Sequence, residues 1–264
     1  MIIVFDVGNT ELTIGLFSES ELRGHWRIVT DVPRTPDEFG VLLRALLASR
    51  DFSMKQIESA AIGSVVPRVT GPLAEACQHY LQVGEPLIVD VNSPLPIRLE
   101  VDEPQTVGAD RLINTLAASR LYGRDAIVVD MGTATTYDCT TSDGVFLGGV
   151  IAPGIATSAE TLTRRTSKLP STELVLPSQV IGKRTEECIR AGVMFGAADA
   201  IDGIVRRIKA SWPRASSPLV VATGGFADTM ATLCTSFDRV EPHLTLQGLQ
   251  IAHAILRPSG PRVQ

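Results

Sequence analysis

The sequence predicts an α/β protein built from two similar halves. Short β-branched and aromatic runs alternate with segments whose apolar residues recur at helical spacing. Two of the runs, over residues 3–10 and 127–134, share one pattern: an apolar strand, then Asp-x-Gly and a small polar residue. Two such matches, each opening a strand-rich half, indicate a duplicated domain. We therefore predict an N-terminal domain over residues 1–115 and a C-terminal domain over residues 116–264.

The first half is predicted to begin with strands and to continue with alternating helices and strands. The strands are short apolar runs bounded by turn residues, and cover 2–7, 12–17, 25–29, 60–66 and 87–91. The helices have apolar residues three or four positions apart, and cover 36–49, 69–81 and 108–122. Thr35 is of a residue type that caps helices, so it predicts the start of the first helix.

The second half is predicted to repeat this organisation. Its strands cover 126–131, 135–139, 145–151 and 219–222. Residues 182–211 predict one long helix or two shorter ones, and a further helix is expected from Ala227 onward. The apolar residues of the 182–211 segment could pack against a second copy of the chain; they include Ile189, Val193, Ile201, Ile204 and Val205.

Composition and charge exclude several classes of protein. With 44% hydrophobic residues among 264, the chain can bury a sizeable core. Its net charge of −5 does not suit extended contact with nucleic acid, and no apolar run reaches membrane-spanning length. The scattered cysteines and histidines form no CxxC or HExxH pattern. The first residues lack the basic segment of a signal peptide, so we expect a cytoplasmic protein that binds neither nucleic acid nor membrane.

The two Asp-x-Gly turns suggest phosphate chemistry. One such turn alone is also what any tight turn uses, because Asp caps its own backbone and Gly accepts positive φ. As a pair, Asp6 and Asp130 could face one cleft and hold the cations that neutralise a transferring phosphoryl group. Glycine would let the backbone approach a phosphate, and the hydroxyls of Thr10 and Thr133 could donate to its oxygens. No GxxxxGK[ST] pattern is present, so a P-loop enzyme is not indicated.

A third segment, residues 220–226, joins a buried strand to a helix through Gly224 and Gly225. This arrangement can bring backbone against the sugar and base of a nucleotide, although it is also common in α/β proteins. Together with the two Asp-x-Gly hairpins it fits the order of phosphate and adenosine segments in actin-like ATPases and sugar kinases.

Several motifs resemble those of type III pantothenate kinases in order and spacing, over nearly the whole chain. They are Asp6-Val7-Gly8-Asn9-Thr10, Gly108-Ala109-Asp110-Arg111, Asp130-Met131-Gly132-Thr133-Ala134-Thr135-Thr136, Ala152-Pro153-Gly154-Ile155, Gly182-Lys183-Arg184-Thr185 and Ala222-Thr223-Gly224-Gly225. The resemblance implies two duplicated ribonuclease H-like domains of the actin-like ATPase type, with a cleft between them. It also implies ATP-dependent phosphorylation of pantothenate to 4′-phosphopantothenate, the first step of coenzyme A biosynthesis.

The resemblance also implies roles for particular residues. Asp110 is expected to be the general base, and Asp130 the ligand of a monovalent cation, K⁺ or NH₄⁺. Asp6 is a candidate ligand of the Mg²⁺ that accompanies ATP. ATP contacts are expected from Asp6, Val7, Gly8, Asn9, Thr10, Glu11, Leu12, Thr13, Thr133, Gly224 and Gly225. Pantothenate contacts are expected from Val101, Gly108, Ala109, Asp110, Arg111 and, across a homodimer, Thr185 of the neighbouring subunit.

Two residues depart from the family pattern around the expected pantothenate site. Val101 stands where the family usually has a tyrosine, and Arg184 replaces an asparagine. Two alternatives therefore stay open: a kinase of another small hydroxy acid, or a nucleotide-binding regulator without catalysis. For Asp110 the alternative role is a helix cap, and for Arg111 a solvated helix residue.

Overall fold

The two halves of the chain contain sheets with the same strand topology. The computed structural model describes residues 1–257. Its strands are β1 (Ile2–Val7), β2 (Glu11–Ser18), β3 (Glu21–Val29), β4 (Ser59–Ser64), β5 (Leu87–Val89), β6 (Arg98–Leu99), β7 (Ala126–Met131), β8 (Ala134–Thr140), β9 (Val145–Pro153), β10 (Leu219–Thr223) and β11 (Arg239–Val240). In the first sheet the order is β3-β2-β1-β4-β5, and the second contains the matching order β9-β8-β7-β10-β11.

The duplication extends to strand direction. β1 is antiparallel to β2 and parallel to β4, and β7 is likewise antiparallel to β8 and parallel to β10. The strand topology therefore confirms the predicted repeat. Each Asp-x-Gly turn follows the central strand of its five-strand order, β1 in the first sheet and β7 in the second.

The helices begin close to the predicted positions, with two additions. They are α1 (Pro36–Ala48), α2 (Pro67–Tyr80), α3 (Ala109–Tyr122), α4 (Ile155–Arg165), α5 (Thr185–Ala210), α6 (Ala227–Met230) and α7 (Leu244–Leu256), with single 3-10 turns at Met54–Gln56 and Pro104–Thr106. Helices α4 and α7 were not predicted from the sequence. The 182–211 segment forms one long helix, and the helix expected after Ala227 lasts only four residues.

The predicted cap of α1 is confirmed in detail. The Thr35 hydroxyl accepts the Glu38 N–H at 3.3 Å, and the Glu38 carboxylate accepts the Thr35 N–H at 2.7 Å. This reciprocal pair is a capping box, which satisfies two backbone donors at the end of a helix. Pro36 at the first helical position is compatible with the helix because that N–H has no intrahelical partner.

Two compact units divide the chain, and their limits differ from the predicted domains. Unit 1 contains Met1–Ala117 and residues 244–257, and unit 2 contains Ala118–His243. The prediction that residues 116–264 form one domain is corrected, because α7 packs in unit 1: Leu246 and Leu249 are buried there with Val4 and Ala61. Residues 258–264 of the predicted second domain lie outside the described residues.

In unit 1, strand β1 is covered on both faces. Ile3, Phe5 and Val7 belong to a core with α1 and α2, whereas Ile2 and Val4 belong to a second core with α3 and α7. A strand buried on both faces reads as a continuous apolar run, which is the pattern of residues 2–5. The first sheet is therefore the middle layer of three.

In unit 2, α4 and α5 cover one face of the sheet. The core there includes Ile127, Val129 and Met131 from β7 together with residues of α5. The expectation that the apolar residues of α5 face a second copy is wrong for four of its five members, which are buried within unit 2: Ile189, Val193, Ile201 and Val205.

Of the helices within residues 1–257, none combines the length and apolar character needed to cross a membrane.

Candidate active site

The first Asp-x-Gly turn joins β1 to β2 in unit 1. Asp6 lies opposite Thr13 in β2 and Gly63 in β4, and is half-buried. The Gly8 N–H donates to the Glu11 carbonyl at 3.0 Å, and a Cβ on Gly8 would lie 3.0 Å from that same oxygen. The polar residues at the tip are exposed; they are Asn9, Thr10 and Glu11. The turn therefore presents hydroxyl, amide and backbone donors at the carboxyl end of a rigid strand.

The second Asp-x-Gly turn occupies the matching position in unit 2. Asp130 lies opposite Thr136 in β8 and Thr223 in β10, and the Gly132 N–H donates to the Ala134 carbonyl at 3.0 Å. The turn is one residue shorter than the first, since Met131 pairs with Thr135 whereas Val7 pairs with Leu12. The two turns share one design, as the sequence repeat predicted.

Thr133, at the tip of the second turn, is exposed but its backbone is held in place. Its carbonyl accepts the Gly154 N–H at 3.1 Å and the Thr157 hydroxyl at 2.7 Å. A Cβ on Gly154 would lie 2.3 Å from the Gly132 carbonyl oxygen, so only glycine fits this contact. Thr157 was not among the residues predicted from the sequence, although Ile155, Ala159 and Leu162 recur at helical spacing directly after Pro153-Gly154 and indicate the helix that carries it.

Gly224 lies against Asp130. Its φ is +88°, and a Cβ there would come within 2.6 Å of the Asp130 carboxylate and 2.7 Å of the Met131 nitrogen. Glycine is required for both reasons, because other residues avoid this φ and have no room for a side chain. The di-glycine turn predicted from the sequence therefore lies directly against the carboxylate of the second Asp-x-Gly turn, and Gly225 next to it in the chain is exposed.

Asp110 lies in the first turn of α3, one residue after the helix begins at Ala109. Its Oδ1 accepts the Arg111 N–H at 2.8 Å, and that N–H also points to the Gly108 carbonyl at 3.1 Å. A Cβ on Gly108 would lie 2.5 Å from Asp110 Oδ1 and 3.3 Å from Val65. The absence of a side chain at Gly108 therefore gives the Asp110 carboxylate the space that it occupies.

Burial raises the pKa of the Asp110 carboxyl above its ordinary value, because desolvation disfavours the charged form. The backbone N–H and the positive charge of Arg111 act in the opposite direction and offset part of this shift. The result is a carboxylate that binds a proton more readily than a solvated one does. Such a group is suited to accept a proton from an alcohol.

The other predicted substrate residues are divided between the units. In unit 1, Val101 is half-buried in the connector after β6, Ala109 is buried and Arg111 is half-buried. In unit 2, Thr185 is the first residue of α5 and is exposed. Exposed Arg184 precedes it without a side-chain capping bond; instead the Glu187 carboxylate accepts the Lys183 N–H at 2.9 Å, which lowers the pKa of Glu187.

Solved structures that resemble this chain define the class of its fold. They include a conserved candidate Baf family transcriptional activator of Campylobacter jejuni (18% identity, TM-score 0.57, 96% of this chain and 98% of that chain). They also include a candidate 2-dehydro-3-deoxygalactonokinase of Sinorhizobium meliloti (12%, 0.56, 98% and 100%) and a candidate N-acetylglucosamine kinase of Porphyromonas gingivalis (13%, 0.50, 96% and 98%). The duplicated units and paired turns thus belong to the actin-like ATPase and sugar kinase fold.

The sequence comparisons are more specific than the fold. The family model of type III pantothenate kinases matches residues 2–207. Curated relatives named type III pantothenate kinase include one from Moorella thermoacetica, 43% identical over 96% of this chain and 98% of its own length. Another, from Roseiflexus sp. strain RS-1, is 42% identical over 97% of this chain and its full length. This chain belongs to the type III pantothenate kinase family.

The raised pKa of Asp110 predicts that its charge costs stability at neutral pH. A carboxyl whose pKa is raised on folding stabilises the folded state below the unfolded pKa, and that contribution is lost as pH rises through the folded pKa. We expect Asp110→Asn to melt at a higher temperature than the wild-type protein at pH 7. The difference should shrink as the pH falls below the ordinary carboxyl value of about 3.9. Thermal melts across this pH range measure it.

The exposed carboxylate of Asp102 provides the control for this measurement. Asp102→Asn removes an exposed carboxylate and should change the melting temperature little at pH 7. An Asp110→Asn protein that is less stable than wild type at pH 7 would contradict the assignment of a desolvated carboxylate.

Proposed function

We propose that this protein transfers the γ-phosphoryl group of ATP to the primary alcohol of pantothenate, giving 4′-phosphopantothenate and ADP in the cytoplasm. The observation that carries the proposal is Asp110, a carboxylate of raised pKa in the same unit as the Asp6 turn. Membership of the type III pantothenate kinase family supports the choice of substrate.

Asp110 acts as the general base in this proposal. A primary alcohol is a poor nucleophile, and its proton must leave as the oxygen–phosphorus bond forms. The Asp110 carboxylate accepts that proton while the bond from the γ-phosphorus to the leaving oxygen of ADP breaks. The Arg111 N–H holds Oδ1 at 2.8 Å and so orients the carboxylate on the first turn of α3. Positioning of this kind supplies much of the catalysis in phosphoryl transfer.

The ATP phosphates bind the two Asp-x-Gly turns. The first turn contributes Asp6, Val7, Gly8, Asn9, Thr10, Glu11, Leu12 and Thr13. The second contributes Thr133, an exposed residue whose carbonyl accepts the Thr157 hydroxyl of α4. Gly224 and Gly225 lie beside Asp130, where backbone can approach the nucleotide without a side chain intervening.

The donor set suits cations that share their ligands with ATP. Within residues 1–257, no group of three or more Asp, Glu, His or Cys side chains is placed to hold a metal ion. Mg²⁺ in phosphoryl-transfer sites usually takes one or two carboxylates and completes its shell with phosphates and water. Asp6 fits this role, and Asp130 fits a monovalent cation, K⁺ or NH₄⁺. When bound, these cations neutralise charge on the transferring phosphoryl group.

Pantothenate binds around the start of α3. Gly108, Ala109 and Arg111 surround Asp110 in the chain, and a guanidinium can pair with the substrate carboxylate through two hydrogen bonds. Val101 provides apolar contact but no hydrogen bond. Thr185 of a second copy completes the site, and the exposed Arg184 beside it adds positive charge toward an anionic substrate.

The first test is product formation. With ATP, Mg²⁺ and K⁺, ADP release should require pantothenate, and mass spectrometry should detect phosphopantothenate. Asp110→Asn should lower the rate by about 10²–10⁴-fold, the usual effect of losing a positioned base, while calorimetry finds ATP affinity little changed. Asp102→Asn is the matched control and should keep its activity. Turnover of another small hydroxy acid, without turnover of pantothenate, would overturn the substrate assignment.

The second test concerns the monovalent cation at Asp130. Activity should fall strongly when Tris is the only buffer cation or when Na⁺ replaces K⁺, and should return with K⁺ or NH₄⁺. Asp130→Asn should weaken this response by removing one carboxylate oxygen charge from the ligand set. Titration of activity against each salt at constant ionic strength measures the effect. Equal rates in all the salts would remove the assignment.

The third test concerns the homodimer. Apolar residues just before Lys183 are exposed, with 70% of Val180 and 83% of Ile181 accessible, which supports a partner covering this segment. Asp110→Asn and Thr185→Ala subunits should each be nearly inactive alone. After subunit exchange at equal amounts, half of the dimers are mixed and each has one intact site, so about a quarter of wild-type activity should return. No recovery after confirmed exchange would contradict a shared site.

A further inference from the structure

We infer that the C-terminal helix α7 is a positioning element for Asp110, acting through Thr245 and Gly248 on the next turn of α3. The inference rests on the proposed role of Asp110 as the general base. It concerns residues that the sequence motifs do not include, because α7 follows all of the motifs that carry the family resemblance.

A buried hydrogen bond joins α7 to α3. The Thr245 hydroxyl donates to Asn114 Oδ1 at 2.9 Å, and the two residues are 7% and 1% exposed. Asn114 lies four residues after Asp110, so both project from the same side of the helix, one turn apart. The apolar residues around this pair belong to one core; they are Ile113, Leu116, Leu246 and Leu249.

This pair restricts how α3 can sit on α7. Apolar contacts tolerate small sliding and rotation, whereas a buried hydrogen bond has a narrow range of distance and angle. If α3 rotated or slid, the Asn114 side-chain oxygen would lose the Thr245 hydroxyl as a donor within a buried core, and losing a buried hydrogen bond is costly. The Thr245–Asn114 bond therefore fixes the rotation of the helix turn that follows Asp110.

The depth of α3 is fixed by Ile113, which lies between two glycines. A Cβ on Gly248 of α7 would lie 2.6 Å from both the Ile113 side chain and its carbonyl oxygen. A Cβ on Gly63 of β4 would lie 2.4 Å from the end of the Ile113 side chain. Neither glycine leaves room for a larger residue, so α3 is packed closely against both neighbours.

Gly63 connects this packing to the first Asp-x-Gly turn. It is the register partner of Asp6 across β1 and β4. Val65, two residues later, donates its N–H to the Val7 carbonyl at 3.1 Å, and its side chain reaches the space beside Gly108. Ile113 and Val65 therefore set the start of α3 relative to the Asp6 turn, while α7, which packs on the same face of the sheet as α3, contacts Ile113 through Gly248.

The consequence is a kinetic effect from residues that touch neither ATP nor pantothenate. A general base must lie within hydrogen-bond reach of the proton that it accepts, and a displacement of about 1 Å can cost roughly 10²-fold in rate. Thr245→Val keeps the size of the side chain but removes the donor. We expect kcat to fall by about 10- to 100-fold with little change in the ATP KM, and Thr245→Ser, which keeps the hydroxyl, to retain most of the wild-type kcat.

Leu43→Ala is the control for a general loss of stability. Leu43 of α1 is buried in the other core of unit 1, away from α3 and α7. All variants are assayed at a temperature where thermal melts find them fully folded. Leu43→Ala should leave kcat near the wild-type value even if its melting temperature falls further than that of Thr245→Val. If Thr245→Val melts too low to assay, Thr245→Ala removes the same hydroxyl without placing a methyl group against Asn114.

A double variant separates positioning from other effects. If Thr245 acts through Asp110, adding Thr245→Val to Asp110→Asn should not reduce the residual rate further, because residues that act as one unit are not additive. A full further reduction of 10-fold or more would overturn the inference, as would a Leu43→Ala protein with the same loss of kcat. If Asp110→Asn lowers turnover as expected but Thr245→Val and Thr245→Ala leave kcat unchanged, only this inference is wrong. If Asp110→Asn keeps wild-type turnover, the proposed base itself is wrong.

Discussion

The burial of β1 on both faces is the constraint on which unit 1 depends. Ile3, Phe5 and Val7 enter one core and Ile2 and Val4 enter another, so a slip of one residue would move each set of side chains into the core that is packed around the other set. Its carboxyl end is therefore a fixed point, and Asp6 lies there. The same position in unit 2 is occupied by Asp130, at the end of β7. The position of each polar turn therefore follows from the packing of the strand that precedes it.

The two turns have the same design but are held by different neighbours. The first is held by backbone bonds: the Thr30 N–H donates to the Thr10 carbonyl at 2.8 Å, and the Val65 N–H to Val7. The second is held by close contacts with Gly154 and Gly224, where any side chain would collide with the turn. Duplication therefore preserved the strand-and-turn geometry, while each copy acquired its own supports.

The proposed role of Asp110 as a general base conflicts in part with the stability of the folded protein. Desolvation raises the pKa of its carboxyl and disfavours the charge that a general base needs, while the Arg111 N–H stabilises that charge in part. The group is kept at the start of α3 by Gly108 on one side and by the packing of Ile113 one turn later. A carboxylate in these surroundings can accept a proton readily, and the helix that carries it is packed against Gly248, far along the chain.

The sequence by itself determined the local elements and the chemistry at their ends. Strand periodicity identified the two Asp-x-Gly hairpins, the residue types at 35–38 predicted the cap of α1, and the motif around Asp110 identified its candidate base. Sequence alone did not reveal α4 or α7, or that residues 244–257 return to unit 1. It also placed Ile189 and Val193 toward a partner, whereas both are buried within unit 2. An apolar face specifies that a helix must be covered, but not by which surface, and only the tertiary packing decides that.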